Sequence, residues 1–115
     1  NAKIFQDLFS SFDNIIIQKE IQKSSWFGFS IIIKNHEEKR KVILDILNKS
    51  GIETRPIVSG NILKNPMLKY FNYEVFGNIV NAEIISNNGF FVGNSHLDLE
   101  KELNFLKNIL YESLH

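Results

Sequence analysis

The chain has 115 residues, enough for one domain with a single two-layer core and too few for a large enzyme that encloses its own cofactor. Its 13 basic and 13 acidic side chains cancel, which leaves no clustered positive field for the phosphates of a nucleic acid. It contains no cysteine, so disulfides, thiolate catalysis and cysteine-ligated zinc are excluded. No apolar run approaches the ~20 residues of a membrane span and no signal peptide opens the chain, so no membrane partner and cytoplasmic residence are expected. The chain begins at Asn1 directly inside a helix-like pattern, as expected of a piece of a longer polypeptide.

Ile4, Phe5, Leu8, Phe9 and Phe12 recur at helical spacing and predict a helix over residues 2–12. Ile15-Ile16-Ile17 is short and β-branched, as a strand would be, and residues 18–25 are a polar connection. Trp26 to Ile33 is aromatic and β-branched throughout and predicts a central strand. Asn35 stands three residues before Glu38, the spacing of a capping box. The helix it would open carries Val42, Ile43, Ile46 and Leu47 on one face and should end at Gly51, which is free to turn left-handed. Ile52 to Val58 predicts a second strand, placed at an edge by Pro56.

Ser59-Gly60-Asn61 is a loop signal, and Asn65-Pro66 can open a short helix with Met67, Leu68 and Phe71 inward. Residues 78–87 predict another short helix, Asn88-Gly89 a turn, and Phe90 to Gly93 a short strand. Asp98 is the expected N-cap of a last helix with Leu99, Leu103, Leu106 and Leu110 as its buried stripe. This order predicts an α+β, two-layer fold: one small mixed or antiparallel sheet with helices mainly on one face, residues 1–115 forming a single domain.

Self-contained chemistry is absent. There is no glycine-rich phosphate loop, and His36, His96 and His115 show no metal-ligand spacing. Glu37 and Glu38 sit together on an exposed helix, and no nucleophile elbow is present. No catalytic, cofactor-binding or metal-binding residue is therefore assigned. The stretch Gly51-Ile52-Glu53-Thr54-Arg55-Pro56-Ile57-Val58-Ser59-Gly60-Asn61 is the exception. A strand delivers Arg55 and then breaks at a bend. The planar guanidinium suits either a structural salt bridge or a phosphate or carboxylate, and backbone N–H groups of Ser59, Gly60 and Asn61 could cup the same anion.

Ser25-Trp26-Phe27-Gly28-Phe29, Arg40, Gly51-Ile52-Glu53-Thr54-Arg55-Pro56, Ser59-Gly60-Asn61 and Asn88-Gly89-Phe90-Phe91-Val92-Gly93 occur in the order and spacing of one family. In these motifs the chain resembles the C-terminal small domain of the DegT/DnrJ/StrS family of PLP-dependent sugar aminotransferases. The nearest branch is that of the nucleotide-4-keto-6-deoxysugar 3-dehydratases of lipopolysaccharide biosynthesis. The resemblance implies the small domain of a fold-type-I PLP enzyme, with the cofactor and the catalytic Lys, or the His that replaces it, in a large domain outside these residues. It implies a substrate-closing role toward a nucleotide sugar, with Arg55, Ser59, Asn61 and His96 on the substrate side. After His96 the family's Pro-Gly-Leu-Thr pattern is replaced by Leu97-Asp98-Leu99-Glu100.

The leading expectation is thus one domain of an aminotransferase or dehydratase, inactive alone and without bound PLP, that partners the large PLP-binding domain. Trp26 and Phe27 are expected in the core or at that domain interface. The alternative is a free-standing ferredoxin-like binding module without catalytic activity. A separated small domain should expose the apolar face that normally meets its partner, and so form a homodimer as concentration rises.

Overall fold

Spacing by four puts Phe5 and Phe9 on one side of helix α1 (Ala2–Phe9). Both are buried, and in a computed structural model of residues 1–115 they anchor an aromatic cluster. Phe5 stacks on Phe29 with ring centroids 4.6 Å apart, and the Trp26 ring meets Phe5 edge-on at 6.3 Å. The cluster ties α1 to strand β2 (Gly28–Ile33), which pairs on one side with β1 (Ile15–Ile17) and on the other with β4 (Gly89–Gly93). Strand β3 (Thr54–Arg55) closes the sheet in the order β1-β2-β4-β3, with every pair antiparallel.

Register sets the two faces. Ile15 opposes Ile33, Ile31 opposes Phe90 and Phe29 opposes Val92, all on one face. That face is covered by α1, by α2 (Arg40–Lys49) through Ile43 and Leu47, and by α4 (Glu100–Leu114) through Leu103, Leu106 and Leu110. The opposite face carries Gly28, Ser30, Ile32, Gly89, Phe91 and Gly93. Helix α3 (Val80–Asn88) packs against β2 and β4 but adds no residue to the core cluster, which places it on this second face. The fold is therefore α+β with a small antiparallel sheet and three of four helices on one side.

Helix α2 stops where expected. Gly51 has φ +84, Ile52 N–H donates to the Leu47 carbonyl at 2.9 Å and Gly51 N–H to that of Asn48 at 3.1 Å. This pair of hydrogen bonds satisfies orphan carbonyls and swings the chain into β3. The start of α2 differs from expectation. Asn35 adopts φ +65, outside the extended region an N-cap needs, so no capping box forms with Glu38. A 3-10 turn at Glu37–Lys39 leads into the helix instead. Arg40 then donates through Nε and Nη2 to the Gly89 carbonyl at 3.1 and 2.9 Å, tying α2 to the start of β4.

Other expectations need correction. Only Thr54 and Arg55 of the predicted Ile52–Val58 strand pair with the sheet, because Pro56 ends the ladder. Trp26 lies outside β2, at φ +50. Gly89 is no turn residue: at φ -93 and ψ 151 it passes straight from α3 into β4. A Cβ there would lie 2.5 Å from the Ile85 carbonyl oxygen and 2.7 Å from Ile57 Cδ1, so close approach is what demands glycine. Asn65 caps a 3-10 helix at Pro66–Tyr70 by accepting from Met67 N–H, but Met67 and Phe71 are exposed because no element of this chain covers them. Asp98 Oδ1 accepts from Glu100 N–H at 3.0 Å, and the Asn1 carboxamide accepts from Leu99 N–H at 3.1 Å, so two residues share the start of α4.

Four polar side chains clip the loop after β3 to α3. Asn61 Nδ2 donates to Glu83 Oε2 at 2.9 Å, Lys64 Nζ pairs with Glu83 Oε1 at 2.6 Å, and Asn87 Nδ2 donates to the same oxygen at 3.2 Å. Hydrogen bonds from Lys64, Asn61 and Asn87 hold the Glu83 carboxyl at about 2, down from its usual 4.5.

Two sets of measurements test this architecture. Gly89→Ala should lower stability in urea by about 1–3 kcal/mol, because the obstructing atom is backbone. Gly51→Ala, with open space but left-handed φ, should cost about 1–2 kcal/mol, and Gly51→Asn less. A Gly89→Ala protein as stable as the parent would contradict the register. For Glu83, the folded carboxyl binds its proton less readily than the unfolded one. Its stabilisation is complete above the usual carboxylate value of 4.5 and is lost as pH falls toward about 2. The stability difference between the parent and Glu83→Gln should therefore shrink across that window. A difference independent of pH would remove Glu83 from the clip.

Candidate functional site

The turn at Gly51 aims the chain so that β3 lies along the edge of β4, with Thr54 opposite Val92 and Arg55 opposite Phe91. Alternation then puts Thr54 on the core face and Arg55 on the second face. Glu53 precedes Arg55 by two positions, and the two side chains form an ion pair, both mostly exposed. An exposed pair contributes at most about 1 kcal/mol, so a competing anion can take the guanidinium from Glu53 at little cost. The backbone then bends sharply, with Val58 at φ +46 and Gly60 at φ +58. A Cβ on Gly60 would meet Ser86 Oγ at 2.8 Å, which measures how closely the bend sits on α3.

A groove of about 760 Å³ runs along this sheet edge. Arg55, Glu53 and Pro56 form one wall, and Leu99, Glu102 and Leu103 of the α4 side form the other. Phe27 and Phe91 supply an aromatic rim with centroids 5.8 Å apart, and Phe27 is 87% exposed. The groove can therefore offer a fork-shaped cation, a carboxylate and an aromatic surface to one ligand.

The four residues expected on the substrate side separate into different surroundings. Arg55 lines the groove. Ser59 is exposed on the bend. Asn61 is only 4% exposed; its Oδ1 accepts from Leu63 N–H at 3.0 Å while its Nδ2 serves Glu83. Gly60 N–H donates to the Ile57 carbonyl at 2.9 Å, so it is not available to the anion cup that the sequence suggested. His96 is exposed in a second, polar concavity of about 610 Å³ beside Asn1, Ser24, Ser25 and Trp26. Asn1 Nδ2 donates to Asn94 Oδ1 and to the carbonyls of Ser95 and Leu97, which holds the His96 loop against the start of α1.

Glu53 and the exposed rim position of Phe27 escaped the sequence reading. The i, i+2 spacing of Glu53 and Arg55 on a strand was the available signal, since it puts both on one face. Trp26 is buried in the core, whereas its neighbour Phe27 points out. No cluster of three or more His, Asp or Glu side chains could hold a metal ion. No helix is long and apolar enough to cross a membrane.

No family model matches the chain. The GDP-4-keto-6-deoxy-D-mannose 3-dehydratase of Escherichia coli O55:H7 is 47% identical over 112 residues, covering 96% of this chain and 29% of the relative. The enzyme of the same name from Yersinia pseudotuberculosis is also 47% identical over 112 residues, covering 96% of this chain and 28% of the relative. The solved structure of the E. coli dehydratase with bound hydrated PLP matches at a TM-score of 0.90, over 96% of this chain and 29% of that one. The chain thus spans under a third of the length of the curated relatives it matches. By sequence and by fold alike, the chain is a homologue of the PLP-dependent, DegT/DnrJ/StrS-like GDP-4-keto-6-deoxymannose 3-dehydratases and corresponds to the small domain of such an enzyme.

Proposed function

We propose that this chain is the substrate-closing, C-terminal domain of a cytoplasmic PLP-dependent 3-dehydratase that acts on a nucleotide-linked 4-keto-6-deoxysugar for surface-polysaccharide synthesis. The observation that carries the reading is 47% identity to dehydratases across 96% of the chain, a span that includes the groove at the β3 edge. Dehydratase is preferred to aminotransferase because both relatives at that identity bear the dehydratase name. A free-standing binding module finds no comparable support.

The chain's own residues bind, orient and exclude water. The Arg55 guanidinium leaves Glu53 for a diphosphate oxygen pair, and the Phe27–Phe91 rim covers an aromatic base or a sugar face. Ser59 offers a hydroxyl from the bend. Asn61 acts through shape, because its amide holds the bend on α3 while Arg55 reaches outward. His96 meets the substrate from the second concavity once the rest of the enzyme is in place. When bound, PLP supplies the electron sink for deoxygenation. The groove is lined by neither lysine nor histidine, and the concavity beside His96 offers no lysine or arginine to the cofactor's phosphate, so these residues do not fit the cofactor, which is held by the remainder of the enzyme.

Two experiments test this. PLP added to the 115-residue chain should give no stable aldimine absorbance; a specific Schiff base at one lysine would overturn the assignment. In an intact-length enzyme carrying this domain, Arg55→Ala should raise KM for the nucleotide sugar about tenfold or more, as expected for a lost charge-assisted hydrogen bond. Arg55→Lys should recover only part of that, since the planar fork is missing. Unchanged KM in both variants would remove Arg55 from the substrate.

A further inference from the structure

Between the clip at Asn61–Glu83 and the body of the sheet, the chain throws out an arm from Pro66 to Ile79. Every residue from Lys69 to Asn81 is exposed. The arm is nonetheless rich in apolar groups: Tyr70, Phe71, Tyr73, Val75 and Phe76 are all more than half exposed, Phe76 completely so. No ring of the arm lies against another ring, and none of these residues joins the core or its margin. The radius of gyration is 15.4 Å, where a compact chain of this length would have about 13 Å.

The arm is nevertheless built at both ends. Asn65 Oδ1 accepts from Met67 N–H at 3.0 Å at its base, and Asn78 Oδ1 accepts from Val80 N–H at 3.1 Å where it returns to α3. Gly77 makes the return turn at φ +69 with nothing near its Cβ position. Exposed apolar groups on this scale are what a protein interface looks like when its partner is missing. Lys69 and Glu74, the only charged residues of the arm, cancel, so neither anionic lipid nor nucleic acid is attracted to it.

The length of the relatives indicates the partner. Some two-thirds of each lies outside the matched segment, and the match to the solved dehydratase runs over 96% of this chain at a TM-score of 0.90. The arm thus belongs to a fold that occurs with a much larger remainder, yet none of its apolar side chains joins the core of these 115 residues. We infer that the Pro66–Ile79 arm is the docking element that seats this domain on the large remainder of the enzyme, with Phe71 and Phe76 as its apolar anchors. This inference rests on the proposed function, and it adds which part of the domain meets that remainder.

Hydrogen exchange read by mass spectrometry tests it in two proteins: the 115-residue chain, and a hybrid in which this chain replaces the aligned segment of the E. coli dehydratase. Arm amides should exchange at least about tenfold more slowly in the hybrid, while β2 and β4 stay protected in both. Phe71→Ser with Phe76→Ser should abolish the arm's protection in the hybrid and leave the stability of the 115-residue chain unchanged. If the hybrid does not fold, grafting residues 66–79 alone into the E. coli enzyme supplies the same comparison. Equal exchange in both settings overturns the inference, as does protection in the 115-residue chain that grows with its concentration, which would make a second copy the partner. An active hybrid with an unprotected arm sinks the docking role alone. A protected arm in a hybrid that neither binds PLP nor turns over sinks the proposed function alone.

Discussion

The pairing of β2 with β4 is the constraint from which the rest of the molecule follows. Its register sets Phe29 against Val92 and Ile31 against Phe90 on one face, and Gly28 against Gly93 and Ile32 against Gly89 on the other. The first face is bulky and draws three helices. The second is bare at both ends, and that bareness has uses. At one end, the missing Cβ of Gly28 leaves room for the Phe91 ring, whose nearest atom would stand 2.7 Å from it. At the other, the missing Cβ of Gly89 admits Ile57 and the last turn of α3. The aromatic rim of the groove and the bend after Arg55 are both consequences of glycines in a central pair, where glycine otherwise weakens a strand.

This asymmetry also decides what kind of ligand the domain can meet. The core face is sealed by helices, which leaves a ligand the second face, the edge at β3 and the polar concavity beside His96. Arg55 reaches that edge on a strand of two residues, just before proline ends the ladder. A longer β3 would carry its backbone past the groove. The short one leaves Glu53, Arg55 and Pro56 to form a wall. The ion pair with Glu53 keeps the guanidinium solvated and loosely held, so that an anion can compete for it.

Periodicity made much of the fold legible. Phe5 and Phe9, Ile43 and Leu47, and Leu103, Leu106 and Leu110 all repeat at helical spacing, and all are buried. Gly51 was legible because a glycine directly after such a stripe has one common use. The failures came where a short local pattern did not decide the backbone. Asn35 followed three residues later by Glu38 spells a capping box locally, yet the backbone at Asn35 turns left-handed where β2 gives way to the 3-10 turn before α2. Asn88-Gly89 spells a turn, yet contacts with Ile57 and Ile85 make the glycine a spacer. Within the site, Arg55 could be singled out because a guanidinium before a bend has a recognisable chemistry. The burial of Asn61 could not, because its partner Glu83 lies 22 residues away across the arm.

That separation explains how one stretch can hold both a rigid bend and an unpartnered arm. Residues 62–82 leave the body and return to it, and the Asn61–Lys64–Glu83–Asn87 clip closes the loop at its base. Loop-closure entropy is met there once, by side chains that pair without help from the arm's tip. The bend beside Arg55 therefore keeps its shape whether or not the arm is engaged. The arm can carry Phe71 and Phe76 outward without pulling the groove open. That independence of bend and arm comes from one carboxylate held by three donors.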